Sequence, residues 1–213
     1  MKIGIVVDGN TEYLGLPAVL EQLKELCDAV LMTQPLKANI QPYSNPAVIA
    51  RACKSRLVQL EAKGADCVVV LLDRETRPEC PGELATAIRQ QLAILAPVCV
   101  GEVVVKDRKF ENWVIADLAA LRSQPARFRI GNQVARTLSG QVDGLDAESI
   151  LEQATLRRPY SKVQDGVQTL RRADHLQMAA HSRSFRRFLR VLQHAQYETQ
   201  SRVPVAPAGP RRR

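Results

Sequence analysis

Six consecutive apolar residues, Cys67-Val68-Val69-Val70-Leu71-Leu72, stop at an aspartate, Asp73. A run that is apolar at every position, rather than at alternate ones, fits a strand covered on both faces, as in a parallel sheet flanked by helices. Ile3-Gly4-Ile5-Val6-Val7 repeats the pattern and stops at Asp8. Asp28 to Met32 and Val98 to Val105 read as two more strands. Between them the spacing changes to threes and fours. Leu16, Val19, Leu20, Leu23, Leu26 and Cys27 mark one helix, with Thr11 as its N-cap and Pro17 near its first turn. Ile49, Cys53, Leu57 and Leu60 mark a second helix over 47–63, closed by Gly64. Leu84, Ile88, Leu92 and Leu95 mark a third. Strand and helix alternating in this way predict an α/β fold, a parallel sheet of about four strands joined by right-handed crossovers.

Helical spacing resumes from Lys106 to Leu121, through Phe110, Trp113, Val114 and Leu118. The pattern changes after Gln124-Pro125. Residues 126–145 read as a polar loop, and helical stretches follow near 147–156, 161–173 and 182–196. The last of these carries Phe185, Phe188, Leu189 and Leu192 on one face and arginines on the others. The expected organisation is therefore an α/β domain over 1–124, a helical extension over 125–202, and a disordered Pro/Arg tail over 203–213.

Charge follows the same division. Residues 157–213 hold 13 Lys/Arg against 3 Asp/Glu, whereas residues 1–156 hold 17 against 19. A basic extension on a near-neutral core favours encounter with polyanions. Lys162, Arg171, Arg172, Arg183, Arg186, Arg187 and Arg190 are its candidate contacts to nucleic acid or a protein partner. No apolar run approaches the roughly 18 residues of a membrane helix. The N-terminus reads as a strand rather than a signal peptide. The 5 cysteines form no C-x-x-C pair and read as small hydrophobes, which points to a reducing, cytoplasmic setting.

In parallel α/β sheets, ligands bind beyond the carboxyl ends of the strands. Two of the expected strands end in acids, giving Asp8-Gly9-Asn10-Thr11-Glu12 and Asp73-Arg74-Glu75. If those strands are neighbours, Asp8, Asp73 and Glu75 face one another. Gathered carboxylates repel unless a cation lies between them. Mg²⁺ or Mn²⁺ suits an all-oxygen set and activates water against a phosphodiester.

The arrangement resembles the Toprim fold of topoisomerases, primases and phage-defence nucleases. More narrowly, it is similar to bacterial Toprim-like proteins classed as a domain of unknown function and often encoded beside an ATPase. Val7-Asp8-Gly9-Asn10-Thr11-Glu12 is similar to their "EG-x-TE" opening, and Leu72-Asp73-Arg74-Glu75 to the Toprim "D-x-D". Phe110-Glu111-Asn112-Trp113-Val114-Ile115-Ala116-Asp117 resembles a third segment, with weaker echoes at Tyr160-Ser161-Lys162 and Ser184-Phe185. The resemblance implies a Toprim/Rossmann-like fold and a Mg²⁺-dependent endonuclease. In it Asp8, Glu12, Asp73 and Glu75 are catalytic, and Asp8, Asp73 and Glu75 hold the metal. Glu111 is a supporting acid. It also implies an ATPase partner and a place in antiviral defence or DNA processing. Asp8 is one methylene shorter than the family's usual glutamate, and Glu75 one longer than its usual aspartate.

Lys106 is a further supporting candidate, placed to meet a phosphate. Trp113, the single tryptophan, reads as core, and the 3 histidines as structural or exposed. The sequence contains no P-loop and no G-x-G-x-x-G. Three other readings compete with the nuclease. One is a haloacid-dehalogenase-like phosphotransferase using Asp73 and Glu75. Another is a receiver-like domain using Asp73 and Lys106. The last is a non-catalytic scaffold whose basic helices bind a partner or RNA. In every reading the Phe185, Phe188, Leu189 and Leu192 face needs cover, from self-association or from the protein's own core.

Overall fold

The computed structural model describes residues 1–95 and 100–200. Two expectations lie outside the described residues: the first two positions of the Val98 strand, with Cys99, and the tail over 203–213.

The strands are β1 (Lys2–Val7), β2 (Val30–Leu31), β3 (Leu36–Lys37), β4 (Cys67–Asp73) and β5 (Val100–Lys106). They form one parallel sheet in the order β2-β1-β4-β5, with β3 also paired to β1. This is a Rossmann-like α/β architecture. The two apolar runs pair directly, Ile3 opposite Cys67 through Val7 opposite Leu71, and β5 continues the register to Asp73 opposite Lys106. The strand expected over 28–32 is present as the short β2, and a further short strand, β3, follows beyond it. Lys2 and Ile3 pair with Val30 and Leu31, and Val6 and Val7 pair with Leu36 and Lys37. Pro35 lies between the two short strands and has no N–H to offer a continuous ladder.

Helix α1 (Asn10–Leu23) starts one residue before Thr11 and carries Gly9 at its N-cap, so the expected Thr11 cap is corrected. Pro17 sits inside this helix rather than in its first turn. Helix α2 (Pro46–Ala62) is capped by Asn45, whose side chain accepts the Val48 N–H at 3.0 Å. It ends at Gly64, where φ is +83° and glycine avoids the strain of a Cβ. Helix α3 (Pro81–Leu95) follows the β4 loop. The buried positions of these two helices, Ile49, Cys53, Leu57 and Leu60 then Leu84, Ile88 and Leu92, are those given by the apolar spacing.

Past β5 the expected continuous helix over 106–121 is broken. Lys106 ends the strand, and only α4 (Glu111–Val114) and α5 (Leu118–Arg122) are helical. Asp117 divides them, its Oδ1 accepting the N–H groups of Ala119 and Ala120 as an N-cap. The expected loop over 126–145 contains α6 (Asn132–Leu138). Then come α7 (Ala147–Ala154), a π-helical turn over Lys162–Gly166, α8 (Val167–Leu170), α9 (His175–His181), α10 (Arg183–Val191) and a 3-10 turn over Ala195–Tyr197. No helix among the described residues is long and apolar enough to cross a membrane.

One sheet face packs on α2 and α3 through Val68, Val70, Leu72 and Val105. The opposite face presents Ile3, Ile5, Val69 and Leu71 to a core shared by α1, α4 and the C-terminal helices. Trp113 is fully buried there, as its core reading requires, with ring centroids 5.0 Å from Phe185 and 5.3 Å from Phe188. Its Nε1 donates to Ser184 Oγ at 2.8 Å, and Ser184 donates to Asp143 at 2.6 Å. Phe185, Phe188, Leu189 and Leu192 are wholly buried, so the protein's own sheet face covers the apolar stripe of α10.

Candidate functional site

Three strand ends meet at one point of the sheet. Asp8 follows β1, Asp73 closes β4 and Lys106 closes β5, while Glu12 comes from the first turn of α1. Lys106 is fully buried. Its Nζ lies 3.0 Å from Asp73 Oδ1 and 3.4 Å from Asp8 Oδ1, and it is hydrogen-bonded to Glu12 Oε1. Asp8 Oδ2 accepts the Asp73 backbone N–H at 3.0 Å, which locks the two strand ends together. The Lys106 ammonium also lies 4.9 Å from the centre of the Phe110 ring, a cation–π distance. The sequence reads Lys106 either as a phosphate contact or as a surface residue opening a helix. It is instead the internal counter-ion of the acids.

Burial opposes charge on Lys106, Asp73 and Glu12. It pushes the Lys106 ammonium down, but Asp73, Asp8 and Glu12 together outweigh it and hold Lys106 well above the ordinary lysine range. Burial raises the Asp73 carboxyl, and Asp8 and Glu12 raise it further against the pull of Lys106, leaving it well above the ordinary value. Glu12 is raised for the same reasons, burial first.

The acids open onto a cleft of about 360 Å³, lined also by Ile40, Phe110, Glu111 and Lys162. Glu111 is buried and lies 3.5 Å from Lys162 Nζ. Lys162 also pairs with Glu148, which accepts from Lys109 Nζ at 2.5 Å, and Lys109 lies 3.4 Å from Glu75. Burial pushes Glu148 up, but the hydrogen bonds from Lys109 and Lys162 prevail and hold it below the usual carboxylate range. Glu75 therefore belongs to this neighbouring chain of alternating charges, not to the lining of the Asp8–Asp73 cleft. Its backbone is left-handed (φ +57°), as is that of Arg108 (φ +71°), and the two are joined by a 2.8 Å hydrogen bond from Glu75 N–H to the Arg108 carbonyl. Left-handed non-glycine residues concentrate at functional sites.

Of the acids expected to hold a metal, Asp8 and Asp73 are brought together, and Glu12 takes the position beside them that was given to Glu75. Among the described residues, no three His, Cys, Asp or Glu side chains form a ready-made metal cage. The acids here are carboxylates, the donor type that a hard divalent cation takes. Among the described residues, Asp8, Glu12, Asp73 and Glu111 face two ammonium groups, Lys106 and Lys162. Asp73 Oδ1 is buried and receives no well-directed hydrogen bond.

Gly9 leaves room for the Glu12 carboxylate. A Cβ there would lie 2.2 Å from Glu12 Oε2, although the backbone (φ −110°, ψ 163°) suits any residue. Gly9→Ala is therefore expected to push the Glu12 carboxylate off Lys106 and cost about 1–3 kcal/mol. Urea denaturation beside the wild-type chain measures it.

The basic residues of the extension do not form one free cationic face. Arg171 and Arg172 are exposed, and Arg183 is half-buried. Arg186 donates to the Ala179 carbonyl at 2.5 Å and to Gln200 at 3.1 Å, and Arg190 donates to the Glu198 carbonyl at 2.9 Å. Arg187 is buried. Of the basic residues expected at the surface, Arg187 is buried instead, while Arg186 and Arg190 are half-buried and hydrogen-bonded within the chain. Glu148, Lys109 and Asp143 were not anticipated. Lys109 meets Glu148 across 39 residues of chain, and Asp143 meets Ser182 and Ser184 across 39 and 41, so no local pattern marks these pairs.

Fold and site together define a Rossmann-like α/β protein with an acid–lysine centre at the carboxyl edge of its sheet. A family model described as "Domain of unknown function (DUF4276)" matches residues 7–193. The chain belongs to that family. No curated protein and no solved structure gives a significant match.

Proposed function

We propose that this chain is a metal-dependent nuclease of the Toprim type, hydrolysing nucleic-acid phosphodiesters at the Asp8–Glu12–Asp73 cleft. The observation that carries the reading is the convergence of these three acids, from two paired strand ends and a helix start, beside an open cleft. Asp8, Glu12 and Asp73 would hold Mg²⁺ or Mn²⁺, which when bound polarises the phosphodiester and acidifies water. Lys106 keeps the carboxylates from flying apart and sets their orientation. Glu12, whose carboxyl stays protonated to higher pH than usual, is suited to pass a proton at its Oε atoms. Lys162, half-exposed on the rim, offers its ammonium to a backbone phosphate.

In this reading Arg171 and Arg172 extend the track for nucleic acid, and an ATPase partner gates cleavage, since the chain has no P-loop of its own. Its setting would be a cytoplasmic phage-defence or DNA-processing complex. The test is incubation with plasmid DNA and with structured RNA, in Mg²⁺, Mn²⁺ or chelator, beside Asp73→Ala. Metal-dependent cleavage that falls roughly 10²-fold or more in the variant is the expected result. No cleavage by the wild-type chain, with its ATPase neighbour present, overturns it.

One observation favours a second reading, a non-catalytic scaffold. Lys106 already supplies a cation to the acids. A scaffold shows no stabilisation by Mg²⁺, whereas a metal site gains stability as the ion is added.

A further inference from the structure

We propose that a second pocket, enclosed by α3, β5 and α10, binds a small oxyanion, a carboxylate or phosphate head, through the guanidinium of Arg187. This goes beyond the nuclease reading and does not depend on it.

Arg187 is 6% exposed, and its Nε and Nη2 are buried with no hydrogen-bond acceptor among the described residues. Leaving a buried cation without acceptors is costly, and a native fold rarely tolerates it without a purpose. Two acids lie close enough to act on this guanidinium, Asp143 and Asp107, but both are committed elsewhere. Asp143 accepts from the hydroxyls of Ser182 and Ser184 at 2.8 and 2.6 Å and from the backbone N–H groups of Arg183 and Ser184. Asp107 is paired with Arg74 at 2.6 Å. The Arg187 side chain is also part of the pocket lining.

The other walls fit the same ligand. Pro81 and Gly82 bring the N-terminal turn of α3, a 15-residue helix whose dipole favours negative charge at that end. Arg190 adds a second cation, while Arg89 is balanced by Glu102 at 3.6 Å. Ala85, Val103, Val105 and Val191 give apolar sides. The volume, about 50 Å³, holds a few water-sized groups and so admits an anionic head rather than a nucleotide. Two parallel N–H groups of a guanidinium match either a carboxylate or a phosphate.

The test is titration of the full chain with inorganic phosphate and, separately, with butyrate, followed by thermal unfolding and by the Arg187 Nε–H resonance in ¹⁵N-arginine-labelled protein. Wild type is expected to gain Tm saturably with at least one anion and to shift that resonance; the anion giving the larger response identifies the head group. Arg187→Met should keep or raise the unliganded Tm, since it removes an unpaired buried charge, and should weaken binding roughly tenfold or more. A guanidinium serving only the fold would instead lower that Tm. Ala85→Leu, which fills the pocket and leaves Arg187 in place, should also abolish the response and carries the test if Arg187→Met does not fold. The proposal is overturned if wild type responds to neither anion, if Arg187→Met responds as wild type does, or if Ala85→Leu leaves the response intact.

Discussion

Lys106→Met is expected to destabilise the metal-free protein by about 3–5 kcal/mol at neutral pH, because it leaves carboxylates gathered in a buried site with no cation between them. The lysine is fully buried and within ion-pair distance of Asp8, Glu12 and Asp73. The loss should depend on pH with a definite sign. Asp73 and Glu12 bind protons more readily in the folded chain than in the unfolded one. Their contribution is thus complete below the ordinary carboxyl range near pH ~4, and it declines as pH rises through their raised folded values. Lys106 contributes fully below its ordinary value near pH ~10.4, and that contribution is lost as pH rises through its higher folded value. Without Lys106 the two carboxyls rise further, so the variant should recover toward wild type in acid and fall furthest behind in alkali. Urea denaturation in chelator at three pH values measures this. A cost that stays constant with pH would show that the acids do not need the lysine.

Trp113→Ala should cost a similar amount, about 3–5 kcal/mol, through the cavity it leaves. The indole touches Phe110, Phe185 and Phe188, with ring centroids 5.5, 5.0 and 5.3 Å away. Removing it empties the joint between the sheet face and α10. Trp113→Phe should lose less, since an aromatic ring remains and Ser184 Oγ keeps its bond to Asp143. Far-UV circular dichroism against urea compares the two without relying on the deleted fluorophore. A loss below about 1 kcal/mol for the alanine variant would mean that the aromatic cluster is not what joins the two parts.

The parallel sheet was readable because its strands are apolar at every position and stop at charged residues. The acidic ends of β1 and β4 followed from the same runs, and the structure pairs those strands. Sequence reading failed where the partner is remote. Nothing near Lys106 marks it as the counter-ion of Glu12, 94 residues away. The motif spacing put Glu75 with Asp8 and Asp73, but the left-handed backbone at Glu75 turns it into the chain of charges with Lys109. The arginines of α10 read as a solvated face because periodicity identifies the apolar stripe and says nothing of how far its neighbours wrap around it. Asp117 broke a helix whose apolar spacing alone looked continuous.

The rings of α10 fill the same core as Ile3, Ile5 and Leu16. A fragment ending near residue 124 would bare the apolar surface that the C-terminal helices cover on that side of the sheet, a surface that drives aggregation in water. The acid–lysine centre is thus no detachable cassette. Recombination that transplanted only the strands and their acids would yield an insoluble product, so selection must act on the chain from β1 to α10 as one heritable block. The stretch matched by the family, 7–193, has nearly those limits.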